Sequence, residues 1–149
     1  MLLSQYVVHS RAQALAAATV ETLVQVTAPA TRRLELVRWG VSFDGVTASN
    51  TPVLVDLLRQ TTAGTAAAFT PLKLDEADPA SLASAQNAFT VEPTAGDILE
   101  SYYLTPAGGL FVMQYDPSER PVVAASGRLG IRANATAIVN ATVWLVWAE

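Results

Sequence analysis

The chain has no cysteine and one histidine, His9, among its 149 residues. Disulfide frameworks, thiolate metal sites and cysteine redox chemistry are thereby excluded. A single imidazole also falls short of the several histidines that a metal centre in a cupin-type barrel requires. Charge is scarce as well: charged residues make up 15% of the sequence, against a usual share of about 25%. The formal net charge is −4, and Arg32-Arg33 is the one adjacent basic pair. Binding to nucleic acid needs clustered cations that release phosphate counterions, so no nucleic-acid partner is expected. No run of about 18 uncharged apolar residues exists, so no membrane-spanning helix and no membrane partner are expected. The start, Met1 to His9, lacks the basic and long apolar regions of a signal peptide. Asn134-Ala135-Thr136 and Asn140-Ala141-Thr142 fit the glycosylation acceptor pattern; they read as ordinary strand and turn residues.

What is present is apolar, at 51% of residues, and it alternates. Val20 to Val26 places Val20, Thr22, Val24 and Val26 on one side, which is the period of a strand. Arg33 to Phe43 is a longer strand with Val37, Trp39, Val41 and Phe43 on the core face; Gly40 inside it marks a bulge or a close backbone approach. Asp44-Gly45 is a turn signal. Val53 to Gln60 alternates Val53, Val55 and Leu57 against Leu54, Asp56 and Leu58. Phe69 to Leu74 reads as a short strand broken by Pro71. Asp78-Pro79 resembles a helix start, so a short helix or irregular loop is expected to Asn87. Ala88 to Glu92 and Ile98 to Leu104 are further strands. Leu110 to Tyr115 is expected to form a hairpin with the latter across Pro106-Ala107-Gly108-Gly109. Arg128 to Ala133 points Leu129 and Ile131 inward. Ile138 to Trp147 closes the chain with Val139, Ala141, Val143, Leu145 and Trp147 on one face.

About eight strands with Gly and Pro turns predict an all-β fold, a jelly-roll-like antiparallel β-sandwich. Its domain spans residues 19–149. Residues 1–18 read as an N-terminal arm: Tyr6 to Val8 is a short strand at most, and alanine-rich Ser10 to Thr19 is a helical turn or an extended segment. Fully extended, the arm reaches roughly 60 Å.

Candidate chemistry is thin. Asp75, Glu76 and Asp78 form an acidic cluster without the alternating order of a calcium loop. Asp75-Glu76-Ala77-Asp78 spells a helicase-like tetrapeptide, but no Gly-Lys-Ser/Thr phosphate loop accompanies it. His9 has no local partner for general-base work, and Ser126-Gly127 does not fit a nucleophile elbow. Asp97 and Glu100 are the residues to watch for a glycosidase pair. No catalytic residue, metal ligand or cofactor is assigned, and no enzymatic activity is expected. Trp144 and Trp147 lie on opposite strand faces, so one of them is expected at a subunit interface.

The stretches Leu36 to Gly45, Val55 to Thr65 and Gly127 to Arg132, together with the final aromatic strand, give the chain its resemblance to a known group. Over residues 5–148 it resembles the capsid decoration, or cement, proteins encoded among the head genes of tailed bacteriophages. The resemblance implies a jelly-roll subunit that sits as a homotrimer on the outer capsid surface, contacts the major capsid protein and bridges capsomers. It implies a location on the virion after synthesis in the host cytoplasm. The residues expected to make contacts are Tyr6, Val7, Val8, His9, Arg11 and Leu15 of the arm, with Trp144. The alternative is a carbohydrate- or receptor-binding module in which Tyr102, Tyr103, Tyr115 or Trp144 stacks on sugar rings.

Overall fold

The computed structural model describes residues 3–44 and 50–149. Gly45 of the expected Asp44-Gly45 turn lies outside the described residues, as do Met1 and Leu2. Among the described residues twelve strands follow in chain order: β1 (Gln5–Leu15), β2 (Thr19–Thr27), β3 (Leu34–Phe43), β4 (Val53–Gln60), β5 (Thr65–Phe69), β6 (Leu72–Lys73), β7 (Ser84–Val91), β8 (Ala95–Leu104), β9 (Leu110–Gln114), β10 (Val122–Val123), β11 (Arg128–Ala135) and β12 (Val139–Ala148). The one helical element among the described residues is a 3₁₀ turn, Pro106–Gly108.

The strands pair as rungs of one long antiparallel ribbon. β1 pairs with β12, β3 with β9 and β4 with β8. β2 runs beside β11, with Ala18 N donating to Ala135 O at 2.6 Å and Ala28 N donating to Gly127 O at 2.9 Å. Folding the ribbon over lays β9-β3-β12-β1 in one layer, joined by the β12–β3 ladder. The other layer is β8-β4-β11, continued across the β11 seam by β2. This alternation of successive rungs between layers is a jelly-roll winding, and the predicted all-β sandwich is the observed fold. The segment between β4 and β8 widens both layers on the β1/β2 side. There β6 adds to β1, β7 to β2 and β5 to β7. Tyr6 Oη donates to Pro79 O at 2.9 Å and ties this insertion down.

The core lies between the layers. Trp39, Trp147, Tyr6, Leu15, Leu57 and Ile131 are among its fully buried side chains. Its β12 contribution is the predicted set Val139, Ala141, Val143, Leu145 and Trp147. On the outer face of the second layer, Asp56 is buried against Arg132, whose Nε donates to Oδ2 at 2.9 Å, and it accepts from Ser101 Oγ. The three residues are cross-strand neighbours on β4, β11 and β8. The ion pair is thus built into the ladder.

Four expectations are corrected. Residues 5–15 are not an arm but a strand, β1, paired along β12 and buried at Tyr6, Val8, Ser10 and Leu15. The alternation is hidden because the register shifts between Ser10 and Gln13, where Ala12 takes φ 47°. That bulge breaks the period of two and leaves an alanine-rich stretch that looks helical. β8 and β9 do not form a hairpin. The 3₁₀ turn and Gly109, at φ 82°, carry the chain from one layer to the other, so β8 pairs with β4 and β9 with β3. Val37 does not share the face of Trp39: a bulge opposite Val146/Trp147 turns it outward, where it packs with Val146 and Ala148. The segment Asp78 to Asn87, expected as a short helix or an irregular loop, is irregular only as far as Ala83: β7 starts at Ser84 and adds to β2.

Candidate functional site

The two layers end on the same side of the sandwich, at β8 and at β9. Among the described residues, each has a ladder on one side alone. An open edge strand offers a row of backbone donors and acceptors, and proteins usually protect it with lysine, proline or a covering segment. The opposite margin, at β6 and the following turn, carries Pro71, Lys73, Asp75, Glu76, Asp78 and Pro79. On the β8/β9 margin the charges, Asp97 and Glu100, lie on β8, and from Leu104 to Tyr115, through the connection and β9, there is no charged residue.

This margin is held from within. Trp39 Nε1 donates to Tyr115 Oη at 3.1 Å, and Tyr115 Oη donates to Glu100 Oε1 at 2.6 Å. Tyr102 Oη donates to Glu100 Oε2 at 3.3 Å. Phe111 packs between these rings, 4.7 Å from Tyr102 and 5.3 Å from Trp39, centroid to centroid. The chain Trp39–Tyr115–Glu100–Tyr102 therefore ties both edge strands to β3. Burial, reinforced by the hydrogen bond to Glu100, pushes the Tyr115 phenol far above its ordinary range. Burial and the neighbouring Glu100 charge raise Tyr102 as well. Both phenols are hydrogen-bond donors at neutral pH, which suits a structural clamp.

Outside the clamp the surface is apolar. Tyr103 is 74% exposed, Leu110 63% and Val112 47%. A shallow hollow between Tyr103 and Leu110 is walled by Phe43, Leu104, Gly109 and Phe111. Val112 stands opposite Gly40, and Gly40 opposite Trp144, so the apolar margin continues across the outer face of β3 to the Trp144 indole.

The residues expected to make contacts separate into groups. Tyr6, Val8 and Leu15 are core residues and are unavailable to a partner. Arg11 is exposed on β1. Val7, His9 and Trp144 lie together on the outer face of β1 and β12, where His9 is paired with Trp144 and Val7 with Val146. His9 sets its ring edge against Phe69 at 4.9 Å, and Asn87 Nδ2 donates to its carbonyl at 2.9 Å. It acts there as a packing residue. Tyr103, Leu110 and Val112 are absent from the expected contact set. The uncharged run Leu104 to Tyr115 was the available signal, masked by the hairpin expectation.

The candidate chemical groups do not converge. Glu100 is clamped by two tyrosines, while Asp97 lines a separate hollow with Arg59, Thr61, Gly127 and Arg128. Asp75 folds back on its own turn, its Oδ1 accepting from Ala77 N at 2.9 Å. Among the described residues there is no group of three or more His, Cys, Asp or Glu side chains able to hold a metal ion. No helix among them is long and apolar enough to cross a membrane. No family model matches the chain, and no curated protein matches it in sequence.

Proposed function

We propose that the protein is a structural virion subunit that decorates and stabilises the outer surface of a bacteriophage icosahedral capsid, bridging capsomers as a trimer. The observation that carries this reading is the pairing of a fully packed sandwich with an open, uncharged, apolar margin at Tyr103, Leu110 and Val112. A stiff β shell transmits load between neighbours, and a margin of this kind suits large dry contacts. Many identical contacts on a symmetric lattice multiply a modest affinity through avidity. With β1 committed to the core, the bridging role falls to the margin of the sandwich rather than to a free arm.

The sugar-binding alternative loses most of its support. Tyr102 and Tyr115 point inward to Glu100, and Trp144 lies against Gly40, so Tyr103 is the one well-exposed ring of the four that were candidates. Stacking recognition on a single tyrosine with no convergent polar groups is weak.

The test is co-sedimentation of the purified protein with capsids of its own phage assembled without it. The expected result is saturable binding and a raised temperature of capsid disruption. Absence of binding at saturating protein overturns the reading.

A further inference from the structure

We infer that the β8/β9 margin is where copies of this chain meet one another, with Tyr103, Leu110 and Val112 closing around the symmetry axis. This rests on the preceding reading only in requiring that the subunit self-associates; it adds the surface by which it does so.

In a closed symmetric assembly, residues near the axis face their own copies. Any charge there meets the same charge, and like charges placed opposite each other across a strand pair are destabilising. A surface for a different partner has no such constraint, because that partner can answer a charge with its opposite. Each copy carries a net charge of −4, so copies repel in general and approach best where charge is missing. The chain carries no charge from Leu104 to Tyr115, between Glu100 on β8 and Asp116 after β9, whereas the opposite margin bears Lys73, Asp75, Glu76 and Asp78. The uncharged segment also holds the open backbone edge of β9 and the exposed side chains of Leu110 and Val112. The exposed side chains of this strand are thus placed for apolar burial against the neighbouring copies of a trimer. The Trp39–Tyr115–Glu100 clamp fixes that edge in advance, which lowers the ordering cost of association.

The test uses the purified full chain alone, without capsids. Sedimentation velocity of the native protein is expected to show an oligomer. The double variant Leu110→Glu/Val112→Glu is expected to raise its dissociation constant about tenfold or more, with an unchanged circular dichroism spectrum. Ile138→Glu, on an equally exposed apolar residue of the β11–β12 turn, is the control and is expected to leave the oligomer intact. A second measurement does not depend on the acidic variant folding. The chain has no cysteine, so Leu110→Cys and Val112→Cys each introduce a sole thiol. At least one is expected to yield a disulfide-linked dimer under mild oxidation, and Ile138→Cys is not. A monomeric native protein overturns the inference, as does a double variant that keeps the native oligomer, or thiols at 110 and 112 that link no faster than at 138. Failure of capsid binding with a margin-dependent oligomer overturns the capsid reading alone; capsid binding by a monomer overturns the present inference alone.

Discussion

The Trp144 indole fills the space above Gly40 on the neighbouring strand: a β-carbon on Gly40 would sit 2.2 Å from its Cζ2 and 2.5 Å from its Cη2. The two residues are direct cross-strand partners on the outer face of the first layer. An absent side chain on β3 is thus what lets a large ring on β12 lie down. The ring then helps cover Val37, Val146 and Ala148, a small apolar cluster separate from the main core.

Gly40→Ala is therefore expected to displace the ring and to cost about 1–3 kcal/mol, the range for forcing an extra group into a filled space. Urea unfolding followed by far-ultraviolet circular dichroism measures the loss. In a Trp144→Ala background the same substitution is expected to cost little, because the obstacle is gone. Equal costs in the two backgrounds would show that the ring and the glycine are not coupled.

How much of this was readable beforehand differs from strand to strand. β4 runs from Val53 to Gln60, the predicted bounds, because its alternation is unbroken and Pro52 marks its start. β12 is equally plain: strict alternation from Val139 places five residues in the core. β1 was illegible because its bulge at Ala12 and its inward polar pair, Ser10 donating to Gln13 Oε1 at 2.8 Å, mimic the end of a strand. Gly40 correctly signalled a close approach, but nothing local says that Trp144 is what approaches. The margin was hidden for a different reason. Consecutive strands joined by a tight turn usually pair, and pairing β8 with β9 would have closed the edge that the structure leaves open. Whether a turn joins two strands within a layer or passes between layers depends on pairings far away in the chain.

Tyr115 provides a prediction with a pH signature. Its phenol accepts from buried Trp39 Nε1 and donates to Glu100, and its pKa in the folded chain lies above the ordinary value of 10.0, first through burial and then through that hydrogen bond. The neutral form is thus favoured more in the folded than in the unfolded chain. Below pH 10 both states hold the proton and the contribution is complete. Above it the unfolded chain releases a proton that the folded chain retains, so stability falls as pH rises. Tyr115→Phe is expected to cost about 1–3 kcal/mol at neutral pH, the cost of leaving a buried donor unpaired. The same variant is expected to flatten the decline above pH 10. Denaturation midpoints between pH 7 and 11 separate the two effects; a variant that declines as steeply as the native protein contradicts the assigned role.

Gly130 has a comparable part on the other layer. Gln60 of β4 lies over it and reaches β2: Gln60 Nε2 donates to Thr22 Oγ1 at 3.1 Å, and Gln25 Nε2 donates to Gln60 Oε1 at 2.7 Å. All three side chains are buried, and this bridge helps close the seam between β11 and β2. A β-carbon on Gly130 would come within 2.3 Å of Gln60 Oε1 and 3.1 Å of the Val24 carbonyl. Gly130→Ala thus evicts the amide and strands buried polar groups on β2, each costing about 1–3 kcal/mol when left unpaired. The expected total loss is about 3 kcal/mol, larger than for Gly40→Ala because the displaced amide gives up two buried hydrogen bonds. Hydrogen exchange locates the damage: amides of β2 and β11 are expected to lose protection while those of β3 and β12 keep it. Uniform loss across both layers would mean that the glutamine bridge does not govern the seam.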